Sequence, residues 1–156
     1  MLIRMDFADV TVDRASSRPV VVLRDAENRS LPIAVGFREA SAVASARERT
    51  TYGRGNTHDL LRLSIEALGA TVECVEVCDY CDGAFFSIVR LRTSDGGSIE
   101  VDSRPSDAIA LALRVGAPIW VHEDVLDAKG QVEDPRDRWR VYLESLEADD
   151  FGKYQQ

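Results

Sequence analysis

Two separate stretches of this chain read alike when Arg38 is aligned with Arg104. The first is Ile-Ala-Val-Gly-Phe-Arg-Glu-Ala-Ser-Ala-Val-Ala at 33–44, and the second is Ile-Glu-Val-Asp-Ser-Arg-Pro-Ser-Asp-Ala-Ile-Ala at 99–110. The strand upstream of each stretch corresponds as well. A similarity that spans strand, turn, strand and helix indicates an internal duplication folded around one core. The chain is therefore predicted to be a single mixed α/β domain built from two diverged strand-strand-helix units.

Hydrophobic periodicity and turn residues divide the chain into strands and helices. Apolar residues that alternate with polar ones, or form short runs, predict strands at 2–10, 19–23, 31–35, 71–78, 84–92 and 98–102. Helical spacing predicts one helix after Gly36, a second over 60–68 that Thr57 caps, and a third that begins in the segment 104–107. The third is apolar on nearly all sides, which is typical of a buried helix.

The last part of the chain has a different pattern. A turn is expected at Asp134-Pro135, and beyond it apolar residues recur at helical spacing, namely Trp139, Tyr142, Leu143 and Leu146. We therefore expect a compact domain over 1–130. Residues 131–156 are expected to contain a C-terminal helix that packs on this domain or on a second subunit.

Composition restricts the class of protein. The chain has 156 residues, of which 45% are hydrophobic, enough to bury one core. It contains no run of roughly 18 apolar residues, and its N-terminus lacks the basic and hydrophobic regions of a signal peptide, so we expect a cytoplasmic protein without a membrane segment. The net charge of -8 argues against general electrostatic binding of nucleic acid. Any nucleic-acid contact would need a local basic patch or a bridging metal.

Three cysteines are an odd number for a disulfide framework, and the expected compartment is reducing. Cys74 and Cys78 would lie about 13 Å apart on one predicted strand, too far to share a zinc ion. Cys78 and Cys81 would lie across a predicted turn but lack a second pair of ligands. We expect the cysteines to be small buried apolar residues.

The first candidate site is the sequence Thr57-His58-Asp59 at a helix start. A histidine that titrates near neutral pH can act as general acid or base, and the adjacent carboxylate can orient it or hold a metal. In the alternative, Thr57 caps the helix, Asp59 interacts with the positive end of the helix dipole, and His58 is a surface residue.

The second candidate site lies at the start of the third predicted helix. Pro105, Ser106 and Asp107 in a first turn are ordinary capping residues. The same backbone N–H groups, together with the Arg104 guanidinium, can instead bind an anion, and Asp102 at a strand end can hold a metal. Both interpretations remain open on the sequence alone.

The third candidate site is Arg38-Glu39, at the matching junction of the first unit. A pseudo-two-fold axis between the units would bring the two junctions together. The hypothesis is that two arginines would then be surrounded by Glu39, Asp102 and Asp107.

Four motifs, in this order and spacing, resemble the bifunctional nuclease family. They are Leu-Pro-Ile-Ala-Val-Gly at 31–36 followed by Glu39-Ala40, Thr-His-Asp-Leu-Leu at 57–61, Asp-Gly-Ala-Phe-Phe at 82–86, and Ser-Arg-Pro-Ser-Asp-Ala-Ile-Ala-Leu-Ala-Leu-Arg at 103–114. The resemblance covers about residues 10–128, and the tail is similar to a C-terminal helix that many members carry. The chain departs from the family where members usually read Arg-Pro, here Arg54-Gly55-Asn56, and where Phe-Tyr is usual, here Phe85-Phe86.

The resemblance implies a small mixed α/β fold that commonly self-associates as a dimer or larger homo-oligomer, and cleavage of both RNA and DNA. It points to seven polar residues of the site: Glu39, His58, Asp59, Asp102, Arg104, Ser106 and Asp107.

As a nuclease, the chain would use Mg²⁺ or Mn²⁺, hard cations that prefer oxygen ligands, held by Glu39, Asp102 and Asp107 together with Asp59. Catalysis would be carried by His58 as proton carrier and Arg104 as the charge-stabilising group, together with Glu39 and Asp59. The nucleic acid would be contacted by Arg38, Arg104 and Ser106. The alternative is a non-catalytic module for ligand binding or assembly, favoured if the carboxylates are already paired with arginines.

Overall fold

The structure of the chain, a computed structural model, describes residues 1–48 and 55–132. In chain order the elements are β1 Leu2–Val12, β2 Pro19–Arg24, β3 Arg29–Ala34, α1 Phe37–Glu48, α2 Thr57–Ala67, β4 Thr71–Cys81, β5 Ala84–Arg92, β6 Ser98–Ser103, α3 Pro105–Val115, β7 Ile119–His122, α4 Glu123–Lys129 and β8 Gln131–Val132. The prediction of a single mixed α/β domain is confirmed. The predicted C-terminal helix lies outside the described residues.

In the described part of the chain, eight strands form one sheet with the order β6-β5-β4-β7-β1-β2-β3-β8. β4 and β7 are parallel, and the other neighbouring pairs are antiparallel. β1 joins the two halves of the sheet, because its first residues pair with β7 and its remainder pairs with β2. Its register shifts between Phe7 and Asp9, an irregularity of the kind that bends a strand.

α3 is the central helix of the core, as its nearly continuous apolar sequence predicts. It packs against α1 and the strands β4 and β5, and Ile109 and Leu111 are almost completely buried. Pro105 occupies its first turn, where no backbone N–H is needed, and Gly116 ends it with a φ of 71°. These boundaries hold the start of α3 at the end of β6, where the candidate site lies.

Two local predictions are wrong. The side chain that caps α2 is that of Asn56, and Thr57 is the first helical residue. β4 continues to Cys81 and turns only at Asp82-Gly83, where both residues have positive φ, so Cys78 and Cys81 lie on the same strand. The expectation of buried cysteines is confirmed for Cys74 but is wrong for Cys81, which is exposed, and Cys78 is half-buried.

Three short elements, β7, α4 and β8, have no counterpart among the predicted ones. β7 has four residues, β8 has two and α4 has seven, which is too short for periodicity to reveal them. Among the described residues, no helix is both long and apolar enough to cross a membrane.

Candidate active site

An open cleft of about 980 Å³ lies where α1, α2 and α3 begin beside β6. Its interior surface is mostly apolar and includes Leu61 and Ile65 of α2 and Val101 of β6. Polar side chains are also exposed to the cleft, and those from the described residues are Arg38, Glu39, Ser41, Asn56, Thr57, His58, Asp102, Ser103, Arg104 and Asp107. The predicted sites at the starts of three helices therefore share one cleft.

His58 contacts Asp107 across this cleft. Nε2 of His58 lies 2.9 Å from Oδ1 of Asp107, and the two side chains are only 14% and 31% exposed. Asn56 positions the histidine, because its Oδ1 accepts the backbone N–H of His58 at 3.0 Å and so holds the first turn of α2 in place. Pro105, the first residue of α3, fixes where this helix begins and so positions Asp107 two residues later in the first turn.

Arg104 extends this pair into a four-residue network, His58–Asp107–Arg104–Glu39. Its Nε donates to Oδ2 of Asp107 at 2.9 Å, and its Nη1 donates to Oε1 of Glu39 at 3.0 Å. The arginine remains 65% exposed. Glu39, His58 and Asp107 lie in the first turns of α1, α2 and α3. Arg104 directly precedes α3, so the network joins the three helices.

The ion pairs of the network stabilise the charged forms of Glu39, Asp107 and Arg104. A hydrogen bond from its own backbone N–H, with another from Arg104, holds the pKa of Glu39 below its usual value. Burial by itself would raise the pKa of Asp107, but hydrogen bonds from Arg104 and His58 outweigh it and the pKa falls. The hydrogen bond to Asp107 and, to a smaller extent, that to Glu39 raise the pKa of Arg104. Both carboxylates are therefore ionised at neutral pH, and Asp107 accepts a hydrogen bond from the imidazole.

The lowered pKa of Asp107 predicts a specific loss of stability in acid. The unfolded chain takes up this proton near pH 3.9, and the folded chain only at lower pH, so the stabilisation is complete above about pH 5 and is lost progressively as the pH falls through the lowered pKa of Asp107 in the folded chain. We expect Asp107→Asn to lower the free energy of unfolding at pH 7 and to shrink its difference from wild type at pH 3. Urea titrations at the two pH values measure this.

The matched control is Asp102→Asn, which removes another carboxylate of the same cleft that has no hydrogen-bond or ion-pair partner among the described residues. We expect it to follow wild type at both pH values. An equal gap between Asp107→Asn and wild type at pH 7 and pH 3 would contradict the ionised pair.

Asp59 is not part of the network, although it follows His58 directly. Its Oδ2 accepts the backbone N–H of Asn56 at 2.8 Å, and its Oδ1 accepts Nε of Arg114 at 3.1 Å. It is not among the residues that line the cleft. The first turn of α2 therefore presents His58 to the cleft and Asp59 to Arg114 in the last turn of α3.

Arg114 is the polar residue of this region that sequence reasoning missed. Its side chain is only 6% exposed and donates to Asp59, to the carbonyls of Ala42 and Ala110, and to Oγ of Ser45. The available signal was a single arginine in the last turn of an otherwise apolar, buried helix. Such a charge requires several partners.

Replacing Arg114 with methionine should destabilise the fold by about 3 kcal/mol, since it leaves the Asp59 carboxylate and two carbonyls without their donor. In a domain of this size the melting temperature should fall by roughly 6–12 °C. Arg62→Met is the matched control, because within the described part of the chain the half-buried Arg62 pairs with Glu66 of the same helix alone. That variant should change stability by less than about 0.5 kcal/mol, and equal melting temperatures for the two variants would refute the structural role of Arg114.

The predicted metal ligands do not form a suitable donor set in this arrangement. Among residues 1–48 and 55–132, no group of three or more His, Cys, Asp or Glu side chains could hold an ion. Glu39 and Asp107 share Arg104, so Mg²⁺ or Mn²⁺ bound between them would have to displace a guanidinium. Asp102 lines the same cleft but has no part in the network.

The two remaining predicted residues lie at different places. Arg38 is exposed and lines the cleft beside Glu39. Ser106 is only 6% exposed and lines a neighbouring cleft, which it shares with Arg104. The structure therefore gathers Arg38, Glu39, His58, Asp102, Arg104 and Asp107 in one cleft and leaves Asp59 and Ser106 outside it.

The fold and the sequence identify the class of protein. A model of the bifunctional nuclease domain matches residues 21–134, a range that includes every residue of the network, and the chain belongs to the bifunctional nuclease domain family.

The chain is also similar to individual proteins over most of its length. An uncharacterized protein of Mycobacterium tuberculosis, found in two strains, is 35% identical over 157 aligned positions, which cover 91% of this chain and 93% of the relative. A rice protein, Bifunctional nuclease 2 from Oryza sativa subsp. japonica, is 29% identical over 126 positions, which cover 76% of this chain and 38% of the rice protein.

Proposed function

We propose that this chain is a nuclease that hydrolyses phosphodiester bonds of RNA, DNA or both, with His58 as general acid–base and Arg104 as the phosphate-binding group. The proposal rests mainly on the 2.9 Å contact between His58 and Asp107, in a cleft that the exposed Arg104 also lines. Membership of the bifunctional nuclease domain family and the name of the rice relative support the same reaction class.

In this mechanism His58 takes a proton from water as the water oxygen attacks phosphorus. The bond from phosphorus to the leaving sugar oxygen breaks on the opposite side of phosphorus, where that oxygen takes a proton from solvent in the open cleft, and the imidazolium then returns its own proton to solvent. Asp107 stabilises the imidazolium, as a carboxylate does in other acid–base pairs. Arg104 stabilises the negative charge that grows on the phosphoryl oxygens. Each role belongs to a side chain, and no step requires a metal ion.

A second function is favoured by one observation. Glu39 and Asp107 are already paired with Arg104, and paired carboxylates are satisfied without substrate or metal. In that case the cleft would bind an anion or a partner without chemistry, and the chain would be a ligand-binding or assembly module.

Cleavage assays separate the two functions. Labelled RNA and DNA are incubated with wild type and with identically purified His58→Gln, each in Mg²⁺, in Mn²⁺ and in EDTA. We expect cleavage by wild type in all three conditions and its loss in the variant. Equal traces of cleavage in both proteins would indicate a contaminant and overturn the enzyme. Cleavage that requires a metal and also requires His58 would mean that the carboxylates rearrange around an ion.

A further inference from the structure

A second cleft, of about 710 Å³, borders the first. Phe37, Glu39 and Arg104 line both of them, so the ion pair between Arg104 and Glu39 forms part of a shared wall. The second cleft also contains residues of the β4–β5 hairpin, the end of α4 and the loop before β2. A linear molecule bound at Arg104 therefore has room to continue on either side of it.

The second cleft has a charge opposite to that of the whole chain. The chain carries a net charge of -8, yet the charged side chains lining this cleft from the described residues are three cations, Arg18, Arg104 and Lys129, and one carboxylate, Glu39. That carboxylate is already paired with Arg104. α3 also begins here without a side-chain cap, so its positive end adds to the same field. This is the local basic patch that an acidic protein needs if it is to bind a polyanion.

Two aromatic rings lie in the same cleft. Tyr80 and Phe85 are opposite residues of the β4–β5 pair, and their rings meet edge to face, with centroids 4.7 Å apart and planes at 63°. Both rings are half-buried and line the cleft. Nζ of Lys129 lies over the Tyr80 ring, 4.0 Å from its centroid. Aromatic rings beside cations are the usual components of surfaces that bind single-stranded nucleic acid.

We propose that the second cleft binds a nucleotide of single-stranded RNA or DNA next to the phosphate held at Arg104. The base stacks on Tyr80, where it replaces the Lys129 ammonium, because stacking on a base is stronger than an exposed cation–π contact. Lys129 has a flexible stem and is exposed, so its ammonium moves to a phosphate, and Arg18 lines the same cleft. A duplex offers no free base face, so the substrate is single-stranded. This inference rests on the proposed nuclease function.

The test is binding without cleavage. Fluorescence anisotropy is measured with labelled oligo-U and oligo-dT of about 12 nucleotides, within the site sizes of single-strand binders, and the full chain in the His58→Gln background. Gels establish that the strands stay intact. Tyr80→Leu should weaken binding by about 5- to 100-fold through the loss of stacking, and Tyr80→Phe should bind within about twofold of the parent because it keeps the ring. Lys129→Gln should lower the slope of log affinity against log salt by about 0.7.

Each outcome of the binding experiment either supports or overturns the nucleotide site in the second cleft. Absence of binding at about 100 µM protein, the weak limit of non-specific nucleic-acid binding, overturns the inference. Equal affinity in all variants, or binding of a duplex as tight as that of the single strand, overturns it as well. Lys129 is exposed, so its variant provides a result even if Tyr80→Leu fails to fold. Binding that depends on Tyr80 in a wild-type protein that cleaves nothing would support the nucleotide site and refute the nuclease, whereas cleavage with no effect of Tyr80 would do the reverse.

Discussion

Replacing His58 with glutamine should lower the rate of phosphodiester cleavage by about 100- to 10,000-fold, the usual contribution of a positioned general acid or base. The glutamine amide can still donate a hydrogen bond to Asp107, so the starts of α2 and α3 should stay together. It cannot take up or release a proton at neutral pH. The measurement is the single-turnover rate on labelled RNA and DNA, with a melting curve to establish that the variant is folded.

His122→Gln provides the matched control, because the chain has two histidines. His122 is the last residue of β7, and its Nε2 lies 3.5 Å from Oε2 of Glu76. It does not line the cleft. We expect this variant to keep the wild-type rate. The acid–base role would be refuted if the two substitutions lowered the rate equally, or if His58→Gln lowered it less than about tenfold.

Arg104→Gln should lower cleavage by about 100- to 1,000-fold, the range seen when one group that stabilises transition-state charge is removed. The arginine is largely exposed, so its two ion pairs should contribute only about 1 kcal/mol or less to folding. Arg104→Lys should recover only part of the rate. Lysine keeps the charge but lacks the planar fork with which the guanidinium reaches Asp107 and Glu39 at the same time.

Arg38→Gln is the control for this prediction. It removes an exposed arginine from the same cleft, one without an ion-pair partner among the described residues. We expect a smaller loss than for Arg104→Gln, and mainly in KM. Full recovery by Arg104→Lys would mean that a point charge is enough and that the bridge has no role in the reaction.

Local sequence signals predict the long, regular elements well. β5 has the bounds that its alternating pattern predicts, and α3 is buried because its residues are apolar on nearly every side. The sequence predicts Thr57 as the cap of α2 because threonine is a good capping residue, but Asn56 competes for the same N–H groups and makes the hydrogen bonds. β7 is only four residues long, and its place between β4 and β1 depends on contacts distant in sequence.

The candidate site was predictable as a set of residues but not as a geometry. The internal similarity placed Arg38 and Arg104 at equivalent positions, and both line one cleft. Sequence could not show that Arg104 alone bridges Glu39 and Asp107, because that bridge depends on how α1 packs against α3. Nor could it show that His58 and its neighbour Asp59 bind different partners, since the direction of a side chain in a first turn depends on the fold around it.

α2 is attached to the domain differently from α3, the buried helix that it contacts. None of its residues is buried, and it is joined to α3 by two pairs at opposite ends of that helix, His58 with Asp107 and Asp59 with Arg114. Salt screens such contacts when they are partly exposed, and a helix held by few apolar contacts can detach locally while the rest of the domain stays folded. The segment that carries His58 is therefore anchored to α3 by side-chain pairs rather than by a buried face, and local opening of α2 would widen the cleft without changing the sheet or α3.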